Sequence, residues 1–289
     1  MKSDWWSNFK KNKIPFISLM FIFLVITLAV FAPLITPFSY EVQDLQRVLL
    51  NPNFTNWFGT DELGRDLYSR IIYGARVSMA VGILTSFVSV IIGTFYGAVA
   101  GYIGGVVDSL LMRLIDILQS IPPLVLMILV SVIINSTEYF SHGIRSMMGI
   151  MFALCLVGWM GIARLVRAQV LIVREMPYVE AARSVGVKHY GILLFHILPN
   201  ILGPLLVLLT FLIPSQVLYE SFLSFIGLGL QPPYSSWGVL AHEGWRSLRT
   251  YPHLIIFPGL AIFLTMLAFN FVGEGLRDAL DPKLRYEPK

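Results

Sequence analysis

The sequence predicts an all-α polytopic membrane protein with six transmembrane helices, and three observations predict it. Of its 289 residues 56% are hydrophobic and only 13% charged, with a mean hydropathy of +0.73. A soluble domain carries about 25% charged and about 45–50% apolar residues, so most of this apolar excess must meet lipid or other buried helices. A span needs roughly 20 mostly apolar residues, and runs of that kind fall at 14–36, 77–100, 117–135, 147–166, 201–226 and 254–274. The basic residues are scattered, mostly in short polar gaps, a distribution that fits membrane topology better than a phosphate-binding face. No polar stretch is long enough to fold as a second domain, and Cys155, the single cysteine, lies in an apolar run and forms no intrachain disulfide.

The first run follows Lys2, Lys10, Lys11 and Lys13. It is too long for a signal-peptide core and lacks a small-x-small cleavage site, so it reads as a retained helix. With a cytoplasmic N-terminus and six spans, fourteen of the 21 basic residues fall inside and seven outside. Both termini are therefore expected in the cytoplasm. The division is 1–13 as a cytoplasmic tail, 14–76 as first span plus extracytoplasmic segment, 77–278 as transmembrane core and 279–289 as a second cytoplasmic tail.

Within the outer segment, Leu63, Leu67, Ile71 and Ala75 stand four apart over Asp61–Ser78, which predicts an amphipathic helix at the interface. The second span ends in Gly93, Gly97, Gly101 and Gly105, a spacing that lets another helix backbone approach closely. Asp108, Arg113 and Asp116 precede the third span, with Arg113 and Asp116 spaced for a local ion pair. In the fifth span Gln216, Glu220 and Ser224 form a polar stripe at four-residue intervals. A carboxylate at a helix centre costs about 2.5–3.5 kcal/mol in the bilayer, so the stripe is expected to line a cavity, with Glu220 near the outer interface as the alternative. The last outer loop, 231–253, carries Tyr234, Trp237, Trp245 and Tyr251, expected at headgroup level.

The longest internal gap, about 167–200, is the informative one. Pro177 suits the first position of a helix and Gly186 the position just past its end, with Glu180 near the positive end of the helix dipole. Tyr178, Ala182 and Val185 share one face. A helix seated in a groove of another protein and an interfacial amphipathic helix both satisfy that pattern.

The run from Glu180 to Pro199 resembles the Glu-Ala-Ala (EAA) loop of ABC importer permeases, in which Glu-Ala-Ala is followed by three residues, Gly, nine residues, Ile, one residue and Leu-Pro. Glu180, Ala181, Ala182, Gly186, Leu198 and Pro199 fall in register; His196 stands at the Ile position, with Ile197 one place later. Gly59-Thr60-Asp61-Glu62-Leu63-Gly64-Arg65-Asp66 with Tyr73-Gly74-Ala75-Arg76, Glu220-Ser221-Phe222-Leu223-Ser224-Phe225-Ile226-Gly227-Leu228-Gly229, and Gly275-Leu276-Arg277-Asp278-Ala279-Leu280-Asp281-Pro282 resemble segments of the C-type subunits of peptide and nickel permeases. The Glu-Ser-Phe-Leu-Ser-Phe run is most similar to the oligopeptide and dipeptide branch. This resemblance implies a core like that of the methionine importer's permease and a cytoplasmic coupling loop. The implied partners are a second homologous permease, two ATP-binding subunits and an extracytoplasmic substrate-binding protein. ATP-driven closure of those subunits would move the helix around Glu180 and rock the spans between inward- and outward-facing states.

The implied cargo is a peptide, and nickel or a metal chelate is the alternative within the family. No Gly-x-x-x-x-Gly-Lys-[Ser/Thr] loop occurs, and His242-Glu243 lacks the second histidine of His-Glu-x-x-His. The five histidines show no metal-ligand spacing. The expectation is thus a chain without cofactor, metal, nucleic-acid partner or catalysis of its own. The rivals are a membrane-embedded enzyme, for which no catalytic pair stands out, and a polytopic receptor, against which the Glu180–Pro199 pattern argues.

Overall fold

In a computed structural model the described residues are 5–136, 142–230 and 234–280. Apart from one antiparallel bridge between Thr60 and Asp66, they contain no β-structure. Chain positions 1–4 and 281–289, which include Lys2 and most of the expected C-terminal tail, lie outside them, as do Gln231, Pro232 and Pro233 of the last outer loop.

The chain opens with α1 (Trp5–Lys11) and α2 (Lys13–Val30), and the first span then bends at Phe31 into the single turn α3 (Ala32–Ile35). After a long irregular segment comes α4 (Leu67–Ile103), 37 residues without interruption. At 1.5 Å per residue it is about 55 Å long, well beyond the roughly 30 Å of hydrocarbon it must cross. The expected interfacial helix over Asp61–Ser78 is therefore absent. Residues 61–66 form a turn in which Gly64 takes a φ of +72° against the backbone of Asp44. Asp66 then caps α4 by accepting from the Ser69 N–H at 2.8 Å. Leu67, Ile71 and Ala75 are buried inside the protein and meet no headgroups.

The third span also departs from expectation. Over 117–135 there is no single helix; instead α5 (Gly105–Gln119) and α6 (Pro123–Asn135) meet at 82°. Pro122 and Pro123 supply the physical reason, because neither has an N–H to continue the ladder and each restricts the residue before it. Then follow α7 (His142–Val173), α8 (Pro177–Ser184) and the short α9 (His189–Gly191). A π-helical turn, Ile192–Ile197, leads into α10 (Leu198–Leu223), and another, Ser224–Leu228, ends it. Helix α11 (Trp237–Trp245) folds back against its neighbours, and α12 (His253–Leu280) closes the bundle. Among the described residues five helical stretches are long and apolar enough to cross a membrane, or six if the bent α5–α6 pair is one span.

The bundle is organised on α4, which packs along α7 and α10, while α12 packs on α2, α10 and α11. Three glycines make the α4–α7 approach possible. A Cβ at Gly93 would lie 2.7 Å from the Trp159 carbonyl oxygen, one at Gly101 would lie 2.9 Å from that of Arg167, and one at Gly97 would collide with Ala163. Gly105 is not part of this seam: nothing approaches it, and its φ of +57° marks it as the hinge between α4 and α5. The expected Arg113–Asp116 pair is replaced by links across helices. Arg167 Nη2 donates to Asp108 Oδ2 at 2.6 Å, and Arg164 pairs with Asp116. These pairs fasten α5 to α7, which positions the bent span.

Candidate functional site

The two ends of the bundle differ in construction. At one end, where α4 and α7 finish, Arg174 donates to the Gly101 carbonyl at 2.8 Å. Met176 takes an extended conformation (φ −75°, ψ 142°) ahead of Pro177, which occupies the first helical position of α8. Glu180 lies in the first turn, at the positive end of the helix. At the far end the Gly186 N–H donates to the Arg183 carbonyl at 2.9 Å and the Val187 N–H to that of Ala182 at 3.1 Å. Gly186 takes a φ of +87°, a left-handed conformation that terminates the helix at little cost only for glycine.

Among the described residues Val179 is the one fully buried side chain of α8. Val179 is fully buried in a cluster with Ile192, Ile197 and Ile201. The rest of the helix stands outward: Glu180, Ala181, Arg183 and Ser184 are exposed, Ala182 is half-buried, and Tyr178 is 43% and Val185 85% exposed. An added Cβ at Gly186 would meet nothing within 4 Å. Leu198 is half-buried and Pro199 exposed where α10 starts. The π-turn over Ile192–Ile197 carries an extra residue relative to an α-turn. Within it, half-buried His196 occupies the position expected for isoleucine, and Ile197 takes the fully buried place. Six side chains, Tyr178, Glu180, Ala181, Arg183, Ser184 and Val185, thus project from this short helix and its end with no covering element among the described residues.

The polar stripe of α10 has a different setting. Gln216, Glu220 and Ser224 are each 1–2% exposed. Glu220 Oε2 accepts from Ser78 Oγ of α4 at 2.9 Å, and Oε1 accepts from Ser224 Oγ at 2.8 Å. Ser78 Oγ in turn accepts from the Trp237 N–H at 3.2 Å, and Ser236 Oγ accepts from the Val239 N–H at 3.3 Å while lying 3.5 Å from Ser224 Oγ. The N-terminus of α11, where helical N–H groups carry partial positive charge, is therefore joined to the carboxylate through serine hydroxyls. That accounts for a buried carboxylate with no arginine or lysine beside it among the described residues. Ser224 borders a cavity of about 330 Å³ with Gly227, Gly229 and His242; Glu220 and Gln216 lie behind it. The amide of Gln216 sits with Ser89 Oγ against Gly158 of α7, and its Oε1 has no partner.

The opposite end of the bundle holds a charge cluster that periodicity did not reveal. Arg65 Nε donates to Asp61 Oδ2 at 2.7 Å and Arg70 Nη1 to the same oxygen at 2.6 Å. Glu243 of α11 accepts from both arginines. Arg70 is fully buried, and Asp61 and Arg65 are nearly so. Two cations and two anions balance, as a buried cluster requires. The only sequence signal was the i, i+4 spacing of Asp61 and Arg65; Glu243 is 178 positions from Arg65 and shares no local pattern with it. Trp237, expected at headgroup level, is buried and donates its ring N–H to the Ile71 carbonyl at 3.1 Å. Among the described residues no group of three His, Cys, Asp or Glu is gathered that could hold a metal.

Comparison with known proteins gives concordant matches. Residues 93–286 match the family described as "Binding-protein-dependent transport system inner membrane component", and residues 2–52 match the "N-terminal TM domain of oligopeptide transport permease C". The dipeptide transport system permease protein DppC of Bacillus subtilis is 42% identical over 98% of this chain and 86% of its own length. The oligopeptide transport system permease protein OppC of Haemophilus influenzae is 42% identical over 96% and 87%. The glutathione transport system permease protein GsiD of Escherichia coli is 38% identical over 98% and 90%. Among solved structures, the inward-facing MetNI methionine ABC transporter superposes with a TM-score of 0.55 at 17% identity, covering 74% of this chain and 98% of that one. An amino acid ABC transporter gives 0.51 at 17%, covering 74% and 94%. At that identity the two structures speak for the fold alone.

Proposed function

The chain belongs to the family of binding-protein-dependent transport system inner membrane components, and from that premise we propose that it is one permease subunit of an ATP-driven peptide importer. The cargo reading rests on relatives named as dipeptide, oligopeptide and glutathione permeases. In this reading a second permease completes the pathway, an extracytoplasmic binding protein delivers peptide, and two ATPase subunits dock at α8. The N-terminus and α8 lie on the cytoplasmic side, and the charge cluster around Arg70 lies outside, in keeping with the fourteen-to-seven split of basic residues.

The observation that carries the coupling role is the exposure of α8. Among the described residues Val179 is its one fully buried side chain, Ala182 is half-buried, and Tyr178, Glu180, Ala181 and Val185 are exposed. A helix so bare on a chain this apolar is a surface awaiting a partner, and the close approach that alanines permit suits a groove. Because Val179 packs with Ile192, Ile197 and Ile201, at the base of α10, a push on α8 passes into the span that carries Glu220. The residues assigned to coupling are therefore Glu180, Ala181, Ala182, Gly186, Leu198 and Pro199. The stripe of Gln216, Glu220 and Ser224 is assigned the inner side of the same span, with Ser224 nearest an open cavity.

The test is Gly186→Trp. A bulky side chain at a φ of +87° disturbs both the helix end and the docked surface. Peptide uptake should fall at least about tenfold and the ATPases should no longer co-purify, while the chain stays at normal level in the membrane. Normal uptake with an intact complex would remove α8 from the coupling path.

A further inference from the structure

A cavity of about 420 Å³ lies where the first span ends, walled by Pro33, Tyr40, Tyr73, Arg76, Val77 and Tyr234. The rings of Tyr40 and Tyr73 have centroids 4.4 Å apart, and the Arg76 guanidinium stands 5.8 Å from the Tyr73 ring centre. Burial, and next a hydrogen bond to Glu41, push Tyr40 up to about 12, so its phenol stays neutral. Among the described residues the Arg76 guanidinium, which is exposed and lies over the Tyr73 ring, and the hydroxyls of Tyr73 and half-exposed Tyr234 make no hydrogen bond. Ser235, which also borders the space, gives its hydroxyl to the Arg70 carbonyl. Three donors, one of them charged and two of them on exposed residues, Arg76 and Tyr234, thus border one space without a hydrogen-bonded partner among the described residues.

We propose that this cavity is a phospholipid site, in which Arg76, Tyr73 and Tyr234 hold the phosphodiester of a headgroup. An anionic oxygen group satisfies all three donors at once, and the place in the fold selects lipid as its source. Pro33 belongs to α3, the last turn of the first membrane helix, and its neighbours Phe31 and Leu34 are 49% and 82% exposed. Below the cavity, Leu84, Phe87 and Ile91 of α4 are exposed in turn. A phosphate at Arg76 therefore has apolar surface leading from it in the direction acyl chains take, at the level where tyrosine and arginine meet headgroups. The site joins the first-span region, residues 2–52, to the core that begins near residue 93, so a bound lipid would cement the two. This assignment does not depend on what the protein transports.

The experiment is native mass spectrometry of the assembled transporter after purification in mild detergent and re-lipidation with phosphatidylglycerol. The unaltered complex should keep one phospholipid per copy of this chain. Loss of one charged hydrogen-bond donor weakens binding by about tenfold or more, so Arg76→Gln should cut retention by that factor with assembly intact. Tyr73→Phe combined with Tyr234→Phe should cut it less. Equal retention by both variants would overturn the assignment. Two further results would do the same: protection by millimolar inorganic phosphate without lipid, which marks a free-anion site, and displacement of the lipid by peptide, which marks a cargo site.

Discussion

At the scale of single residues, glycine and glutamate carry the clearest consequences. Gly97 lies where any side chain would strike the Ala163 carbonyl, so Gly97→Leu should separate α4 from α7 at a cost of about 1–3 kcal/mol or more. A lower thermal midpoint of the detergent-solubilised complex is the readout, and an unchanged midpoint would mean the two helices are not in van der Waals contact there. Glu220 joins α10 to α4 by accepting from Ser78, and accepts from Ser224 one turn further along its own span. Glu220→Gln keeps the shape and one acceptor and should cost about 1 kcal/mol. Glu220→Leu strands the hydroxyls and should cost about 1–3 kcal/mol, with a matching loss of peptide uptake at normal protein level. Equal midpoints and equal uptake in both variants would leave the carboxylate without a structural role. The stripe itself was legible from four-residue spacing; its enclosure was not, because Ser78 and Trp237 lie 142 positions before and 17 positions after Glu220, beyond any helical period.

At the scale of elements, the charge cluster binds the turn before α4 to α11. Arg70→Met leaves Asp61 and Glu243 with one cation between them, and breaking a buried pair in this way costs about 3–5 kcal/mol. Adding Asp61→Leu restores balance, with Arg65 facing Glu243, so the double variant should recover part of the lost thermal midpoint. A double variant no better than the single one would show that packing, not charge, sets the cost. The same comparison explains which elements were readable. Helix α8 announced its limits through Pro177 and Gly186, whose backbone constraints are local. The long spans announced themselves by composition. The bend between α5 and α6 was hidden because hydropathy is blind to the missing N–H groups of Pro122 and Pro123. Helix α11 was hidden because nine residues with buried polar partners resemble a loop in composition. Its partners, Ser78, Ile71 and Arg70, come from elsewhere in the chain.

At the scale of the whole molecule, the α8 end and the Arg70 end lie at opposite ends of α4, roughly 55 Å apart by helix length. A chain threaded with its N-terminus inside places them on opposite faces of the membrane. In a background of Cys155→Ser, cysteines at Phe54 and Arg249, both exposed, should react with an impermeant maleimide in intact cells, and one at Val185 should react only after the membrane is opened. Labelling of position 185 from outside would reverse the orientation. The central claim, that α8 is the surface through which ATP hydrolysis on another chain drives this one, is tested most directly by cross-linking. Cysteines placed singly at Tyr178, Ala181 and Val185, all outward-facing on α8 or at its end, would be paired with cysteines along the candidate groove of the ATPase in the assembled complex. Disulfides should form at these positions, change in yield when ATP is bound without hydrolysis, and block uptake until reduced. No cross-link at any of the three positions, in a complex that still imports peptide, would contradict it.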